Sequence, residues 1–213
     1  MDFIDPIIEQ YALDHSDPES NLLKELNRQT NLNVLQPRML SGHLQGRLLS
    51  AFSKALKPDK ILEIGTYTGY SALCLAEGLN QNGQLYTIDI NKELEEFAQN
   101  YFDSSPFKDS IKFLVGDAVD LIPNMNHSWD MVFIDADKEN YSTYFDIVID
   151  KVRKGGWIIA DNVLWSGKVT RPTSNNDLET AAIKAFNEKV HSDKRVSNIL
   201  VPVRDGMMLM IKN

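Results

Sequence analysis

Cysteine is almost absent from this chain of 213 residues: Cys74 is the only one. One thiol can build neither a disulfide framework nor a structural zinc site. Stability must then come from burial, and a chain of this length can bury most of the surface its unfolded form exposes. Cys74 lies in the apolar helical run SALCLAEGL with no partner for nucleophilic chemistry beside it, and reads as an inert packed thiol. Basic clusters are missing too. The 22 Lys and Arg are scattered among 30 Asp and Glu, a formal net charge of −8, which disfavours tight non-specific binding to polyanions and favours a small-molecule substrate. No window reaches the apolar length of a membrane span, and the opening MDFIDPIIEQYALDHSDPES carries acids early and no signal-peptide core. The expectation is a soluble cytoplasmic protein. Interdomain linkers, repeats and low-complexity tracts are also lacking, so residues 1–213 read as a single domain.

What is present is a change of rhythm. DPIIEQYALDH, NLLKELNRQT (after the cap-like SDPES) and GHLQGRLLSAFSKAL repeat apolar residues at three and four, the period of amphipathic helices. From position 60 the pattern becomes short, nearly continuous apolar runs: KILEIG (60–65), QLYTIDI (84–90), IKFLVGD (111–117), DMVFID (130–135) and GWIIAD (156–161). Each ends on or beside Gly or Asp, with helical segments in most of the gaps, which is the pattern of an α/β fold with a parallel sheet covered on both faces. The last two runs, SNILVPV and GMMLMIK, are separated only by Arg204 and Asp205, so they form an antiparallel hairpin. The polar stretch SGKVTRPTSNND (166–177) reads either as a flap over a site or as a solvated crossover before a helix starting near Leu178.

The first strand end, ILEIGTYTGYSAL, places Gly65 and Gly69 in the turn before a helix, where open α/β sheets bind ligands. A dinucleotide fingerprint would need glycines at 67 and 70, but both are tyrosines, and the Gly-Lys-Ser/Thr ending of a P-loop is absent. These absences exclude a nicotinamide-dependent oxidoreductase and argue against a phosphate ligand. The second strand ends on Asp89, twenty-four positions after Gly65, placed to accept hydrogen bonds from both hydroxyls of a ribose. The third ends in Gly116-Asp117-Ala118, a polar edge for a base. A glycine turn, a ribose acceptor and a base edge, without a phosphate cradle, suit an adenosyl ligand such as S-adenosylmethionine. Singly, each feature is also an ordinary turn or helix cap.

The fourth and fifth strands end on Asp135 and on Asp161-Asn162. Two carboxylates and one amide oxygen are hard ligands that, with water or substrate oxygens, complete the shell of Mg²⁺ or a similar dication. The plainer alternative is a pair of solvated strand-end acids. His15, His43, His127 and His191 lie away from these positions and read as surface or packing residues. Lys138, three residues beyond Asp135, either leans back over the site as a general base or pairs with Asp137 or Glu139 on the surface.

Taken in order, MLSGHLQGRLL, ILEIGTYTGYSAL, YTIDI, GDA, FIDADKENY, ADNVLWSG and VPVRDGMMLMIK resemble the cation-dependent class I O-methyltransferases of the caffeoyl-CoA and catechol type, from about Met39 onward. DADK followed by DNVLW is the most specific part. Ala136 and Asp137 place the chain nearer the bacterial and plant branch than the animal catechol enzymes. The resemblance implies a Rossmann-like methyltransferase fold with a seven-stranded sheet. It implies that Gly65 and Ser71 hold the methionine end of S-adenosylmethionine, Asp89 the ribose, and Asp117-Ala118 the adenine region. Met39, Ser41 and Gly42 would close over the cofactor, and Glu63, Tyr67 and Asp135 would line its pocket. Asp135, Asp161 and Asn162 would ligate Mg²⁺, Mn²⁺ or Ca²⁺, with Lys138 as base. The implied reaction is methyl transfer to one hydroxyl of an aromatic vicinal diol, in a homodimer. Two alternatives stand beside it: methylation of hydroxyuridine in tRNA, and a non-catalytic S-adenosylmethionine-binding module.

Overall fold

The computed structural model describes residues 4–213, which divide into two compact units, one of residues 6–117 and one centred on residues 118–213. The first unit opens with helices α1 (Pro6–Asp14), α2 (Asn21–Asn33) and α3 (Gly42–Leu56). Helix α2 starts where the Ser20 hydroxyl accepts the Leu23 N–H at 3.2 Å, a side-chain cap, and buries Leu23, Leu26 and Thr30 along one stripe. Strands β1 (Lys60–Ile64), β2 (Gln84–Asp89) and β3 (Ile111–Val115) are parallel, with helix α4 (Tyr70–Ala76) following β1 and α5 (Glu95–Asp103) following β2. Every residue of α4 is buried. Helix α3 reaches it closely because Gly46 has no side chain: a Cβ there would lie 2.7 Å from the Tyr70 ring and 2.8 Å from the Cys74 sulfur.

The second unit contains α6 (Ala118–Asn124), β4 (Trp129–Ile134), α7 (Tyr141–Ile149), β5 (Val152–Asp161), α8 (Leu178–Ser192), β6 (Val196–Val201) and β7 (Met207–Lys212). β4 and β5 are parallel, whereas β7 runs antiparallel to both β5 and β6. The fold is a seven-stranded, mostly parallel sheet in the order β3-β2-β1-β4-β5-β7-β6, with helices around it and the expected antiparallel hairpin at its end. The core between α7 and α8 is aromatic. Phe186 meets Tyr141 edge-on at 5.4 Å and Phe145 at 6.5 Å, all three fully buried, and each such side chain contributes on the order of 1.5–3 kcal/mol by leaving water.

Two boundaries differ from the sequence reading. β5 begins at Val152, four residues before GWIIAD, because the polar Arg153 and Lys154 extend the strand at its exposed end, where Arg153 pairs with Asp130 at 2.5 Å. A shift of register between Trp129 and Met131, beside Gly155 at φ +73°, absorbs the mismatch. The stretch taken as a polar loop from 166 is ordered at its start, Trp165–Thr170 being a pair of short 3₁₀ turns broken at Ser166 and Gly167. Helix α8 then starts at Leu178, as expected, capped by the Asp177 carboxylate on the Thr180 N–H.

Candidate active site

In the unit of residues 6–117, parallel pairing brings the carboxyl ends of β1, β2 and β3 to one edge. The Gly65 N–H donates to the Ile88 carbonyl and the Gly116 N–H to the Asp89 carbonyl, both at 2.9 Å, so the ladder continues into the turns. The chain then leaves β1 through left-handed backbone at Gly65 (φ +100°), Tyr67 (φ +49°) and Gly69 (φ +90°). The Asp89 carboxylate is what holds Tyr67 in that conformation. One of its oxygens accepts the Tyr67 N–H at 2.7 Å and the other the Asn91 N–H at 2.8 Å. Each oxygen keeps a further lone pair, so acceptance from ribose hydroxyls is still open.

The Tyr67 hydroxyl donates across to the carbonyls of Leu35 and Gln36, each at 3.2 Å. This draws in the short turn Pro37–Met39 and the start of α3, and with them the predicted Met39, Ser41 and Gly42. Met39 is exposed, Ser41 is buried, and Gly42 adopts φ +74°. Ser71 is buried in the first turn of α4. Glu63 is fully buried on β1 and accepts the Thr87 hydroxyl at 2.5 Å, with Thr66 joining Thr87 at 2.6 Å. Asp117 is exposed, and Ala118 is the buried first residue of α6.

In the unit of residues 118–213, the register of β4 on β5 sets Ile134 opposite Ala160, so Asp135 and Asp161 leave neighbouring strand ends together. Asp161 is 3% exposed. Lys138 leans back into the unit and is 7% exposed, its ammonium 3.0 Å from Asp135 Oδ1 and 2.6 Å from the Tyr141 hydroxyl. Its partners are thus Asp135 and Tyr141, while Asp137 accepts from the Tyr144 hydroxyl and the Asn140 amide. The Tyr141 hydroxyl donates to the Asp161 backbone carbonyl at 2.9 Å, and burial, then the nearby acids Asp135, Asp161 and Asp137, push its pKa well above the ordinary phenol value. It therefore stays a neutral donor.

Beyond Asp161 the backbone is forced into left-handed conformation at Asn162 (φ +58°), Trp165 (φ +47°) and Ser166 (φ +53°), none of them glycine. Such residues persist only where surroundings over-determine them. Here the Val163 and Leu164 N–H groups donate to the Gly206 and Asp205 carbonyls, and Ser166 N–H to the Asp205 carboxylate. Asn187 of α8 donates to the Val163 carbonyl at 2.8 Å. Gly206, at φ +85°, lets this turn approach, because a Cβ there would lie 2.4 Å from Leu164. Burial raises the Asp205 pKa, against the Ser166 hydrogen bond and the charge of Lys138, which lower it. The Trp165 ring lies 5.8 Å from the Lys138 ammonium. Tyr141, Trp165 and Asp205 were not singled out from sequence, although Trp165 ends the DNVLW motif and Tyr141 follows DADK by three residues.

Among the described residues no three His, Cys, Asp or Glu side chains cluster as a metal site. The candidate set is of another kind, two carboxylates and an amide, and its chemistry is that of a hard-ion site. Asp135 and Asp161 carry two negative charges against the single ammonium of Lys138, and one of the two is almost fully buried. A bound dication would balance that excess.

A sheet of this order with glycine and acidic strand ends defines the class I, S-adenosylmethionine-dependent methyltransferases, and comparison with known proteins narrows the class. A family model described as O-methyltransferase matches residues 13–213. The chain is 34% identical over 215 residues to a caffeoyl-CoA O-methyltransferase of Stellaria longipes, covering 94% of this chain and 88% of that one. Among solved structures, the O-methyltransferase TomG of Streptomyces achromogenes, in complex with SAM, superposes with a TM-score of 0.89 at 27% identity, covering 97% of this chain and 96% of that one. An O-methyltransferase of Bacillus cereus in complex with SAH gives 0.88 at 29%, with 97% of both chains covered. The chain belongs to the O-methyltransferase family and is an enzyme of that kind.

Proposed function

We propose that this O-methyltransferase moves the methyl group of S-adenosylmethionine to one hydroxyl of an aromatic vicinal diol, with a divalent cation held by Asp135, Asp161 and Asn162 and with Lys138 as general base. The observation that carries the reading is the buried ammonium of Lys138, 3.0 Å from Asp135 at the tip of β4, where β4 and β5 end side by side. The name of the Stellaria relative points the same way, since a caffeoyl group carries two adjacent ring hydroxyls.

A dication held by Asp135, Asp161 and Asn162 would lower the pKa of a substrate hydroxyl beside it, and the sulfonium donor would bring a methyl group that is already activated. The protein's own part is proton transfer and positioning. In its neutral amine form Lys138 accepts the proton of the attacking hydroxyl and becomes the ammonium. Asp135 holds the amine in place beforehand. Asp89, with the left-handed turn Gly65–Gly69 behind it, holds the ribose and Ser71 the methionine end. With an activated electrophile the chain's main contributions are alignment and exclusion of water, and no covalent intermediate on Ser or Cys is required. Cys74 could not serve as one. It is fully buried, and burial pushes its pKa up to about 12.

The same fold could serve a hydroxyuridine in tRNA, but no feature favours that substrate. Lys168, in the stretch 166–177, is paired with Asp177 at 3.2 Å, so its charge is already partnered within the chain. No described helix is long and apolar enough to cross a membrane. We also propose a homodimer, to be tested by light scattering.

The test of function is methyl transfer from S-adenosylmethionine to a panel of 3,4-dihydroxyphenyl compounds, with and without chelator. Expected is activity that chelator abolishes and Mg²⁺ or Mn²⁺ restores. Methylation undiminished after every divalent ion is stripped away would overturn the reading.

A further inference from the structure

The phenol of Tyr141 is a neutral group that touches both halves of the acidic strand-end site. It accepts from the Lys138 ammonium at 2.6 Å and donates to the Asp161 carbonyl at 2.9 Å. The ring itself cannot move away. It is fully buried, and Phe186 of α8 packs against it edge-on at 5.4 Å. Lysine has four rotatable bonds and a point charge with three donors, so one ion pair to Asp135 leaves its amine several ways to sit. A second fixed acceptor on the opposite flank removes that freedom.

We infer that Tyr141 is a positioning residue: its hydroxyl fixes the Lys138 amine and ties it to the backbone of Asp161, so that base and ligand strand keep one spacing. The inference rests on the proposal that Lys138 is the base. Tyr141 itself touches neither substrate nor cofactor in this role. Deleting its hydroxyl leaves the Asp135 ion pair and the aromatic packing in place, yet frees the amine on one side and cuts its tie to the Asp161 carbonyl. A general base acts only within hydrogen-bond reach of the proton it takes, so the loss should fall on the chemical step and spare donor binding.

The variant is Tyr141→Phe, which keeps the ring. Expected is a kcat at least tenfold lower with the KM for S-adenosylmethionine within twofold of wild type, and a melting temperature lowered by a few degrees. A kcat within twofold of wild type, with only the melting temperature changed, would assign Tyr141 a purely structural role and overturn the inference. A second readout does not depend on turnover. In metal-free protein labelled with ¹⁵N-lysine, a side-chain ammonium held by two partners gives a slowly exchanging NMR signal. The Lys138 signal, assigned by its loss in Lys138→Ala, should be visible in wild type and lost or broadened in Tyr141→Phe. An unchanged signal in the variant contradicts the inference. The failure of the underlying reading looks different: Lys138→Ala would then keep full activity, whatever the Tyr141→Phe signal does.

Discussion

The strand ends of residues 6–117 and those of residues 118–213 are built from different materials. The first set is mostly backbone. Gly65, Tyr67 and Gly69 turn left-handed, and the Asp89 carboxylate is spent on two main-chain N–H groups. The second set is mostly side chain: Asp135, Lys138 and Tyr141 are linked through their side chains and reach the Asp161 backbone carbonyl, and the backbone strain at Asn162, Trp165 and Ser166 is held from outside by Asp205, Gly206 and Asn187. Backbone can cradle a ligand without choosing its protonation state. Titratable side chains at close quarters can move a proton, and that is where chemistry is expected.

The largest test of this contrast removes a charge from the second set. Asp161→Ala and Lys138→Ala should each lower kcat for a dihydroxyphenyl substrate by about 10²-fold or more, the usual weight of a general base or of a hard-ion ligand. The affinity for S-adenosylmethionine, read by calorimetry, should stay within a few fold. If donor binding falls in step with turnover, the division of labour between the two sets is wrong.

Asp89→Ala makes the reciprocal change. It removes the acceptor of the Tyr67 and Asn91 N–H groups, and hydrogen bonds to a charged group contribute roughly 1.5–3 kcal/mol each. Donor affinity should drop about thirtyfold, ~2 kcal/mol, with the bound complex still turning over. Gly69→Ala probes the backbone itself. At φ +90°, with a Cβ only 2.6 Å from the buried ring of Phe102, it should cost roughly 1.5 kcal/mol in urea unfolding. An unchanged midpoint would mean that the turn tolerates a side chain and that its glycine is not needed.

The smallest effect lies away from both sets, at Glu77. Burial opposes its charge, but hydrogen bonds from Arg47, Ser50 and Lys54 outweigh burial and hold its pKa at about 2, below the ordinary 4.5. A lowered folded pKa stabilises the fold fully above pH 4.5, and that contribution is lost as pH falls toward 2. Glu77→Gln should therefore be less stable than wild type by about 1 kcal/mol at pH 7, with the gap closing between pH 4.5 and pH 2 in thermal melts. A gap that stays constant down to pH 3 would show that the carboxylate's charge does no stabilising.

Much of this was legible in the sequence, for reasons that differ between the two sets. The strands announced themselves because a parallel sheet covered on both faces needs unbroken apolar runs, and because the chain leaves such runs on glycine or a short acid. Gly65, Asp89, Asp135 and Asp161 were readable for that cause. The start of β5 was not, since Arg153, Lys154 and Gly155 pair at an exposed strand end where polarity is tolerated. The role of Tyr141 was hidden for another reason. A tyrosine three residues after Lys138 reads as helix packing, and only the fold shows its hydroxyl reaching the carbonyl of Asp161, twenty positions away. Asp205 was further still, thirty-nine residues from the Ser166 N–H that it accepts.

β7 has a bearing on how the molecule comes to life. It inserts between β5 and β6, and the turn leading into it is what clamps Val163, Leu164 and Ser166. A ribosome makes that segment after every residue proposed here to bind the donor, the ion or the proton, so a nascent chain holds all the chemistry in loose form. Domains fold as they emerge, but this one can close its reactive corner only once residue 212 is free of the exit tunnel. Competence thus waits on a strand that carries none of the chemistry.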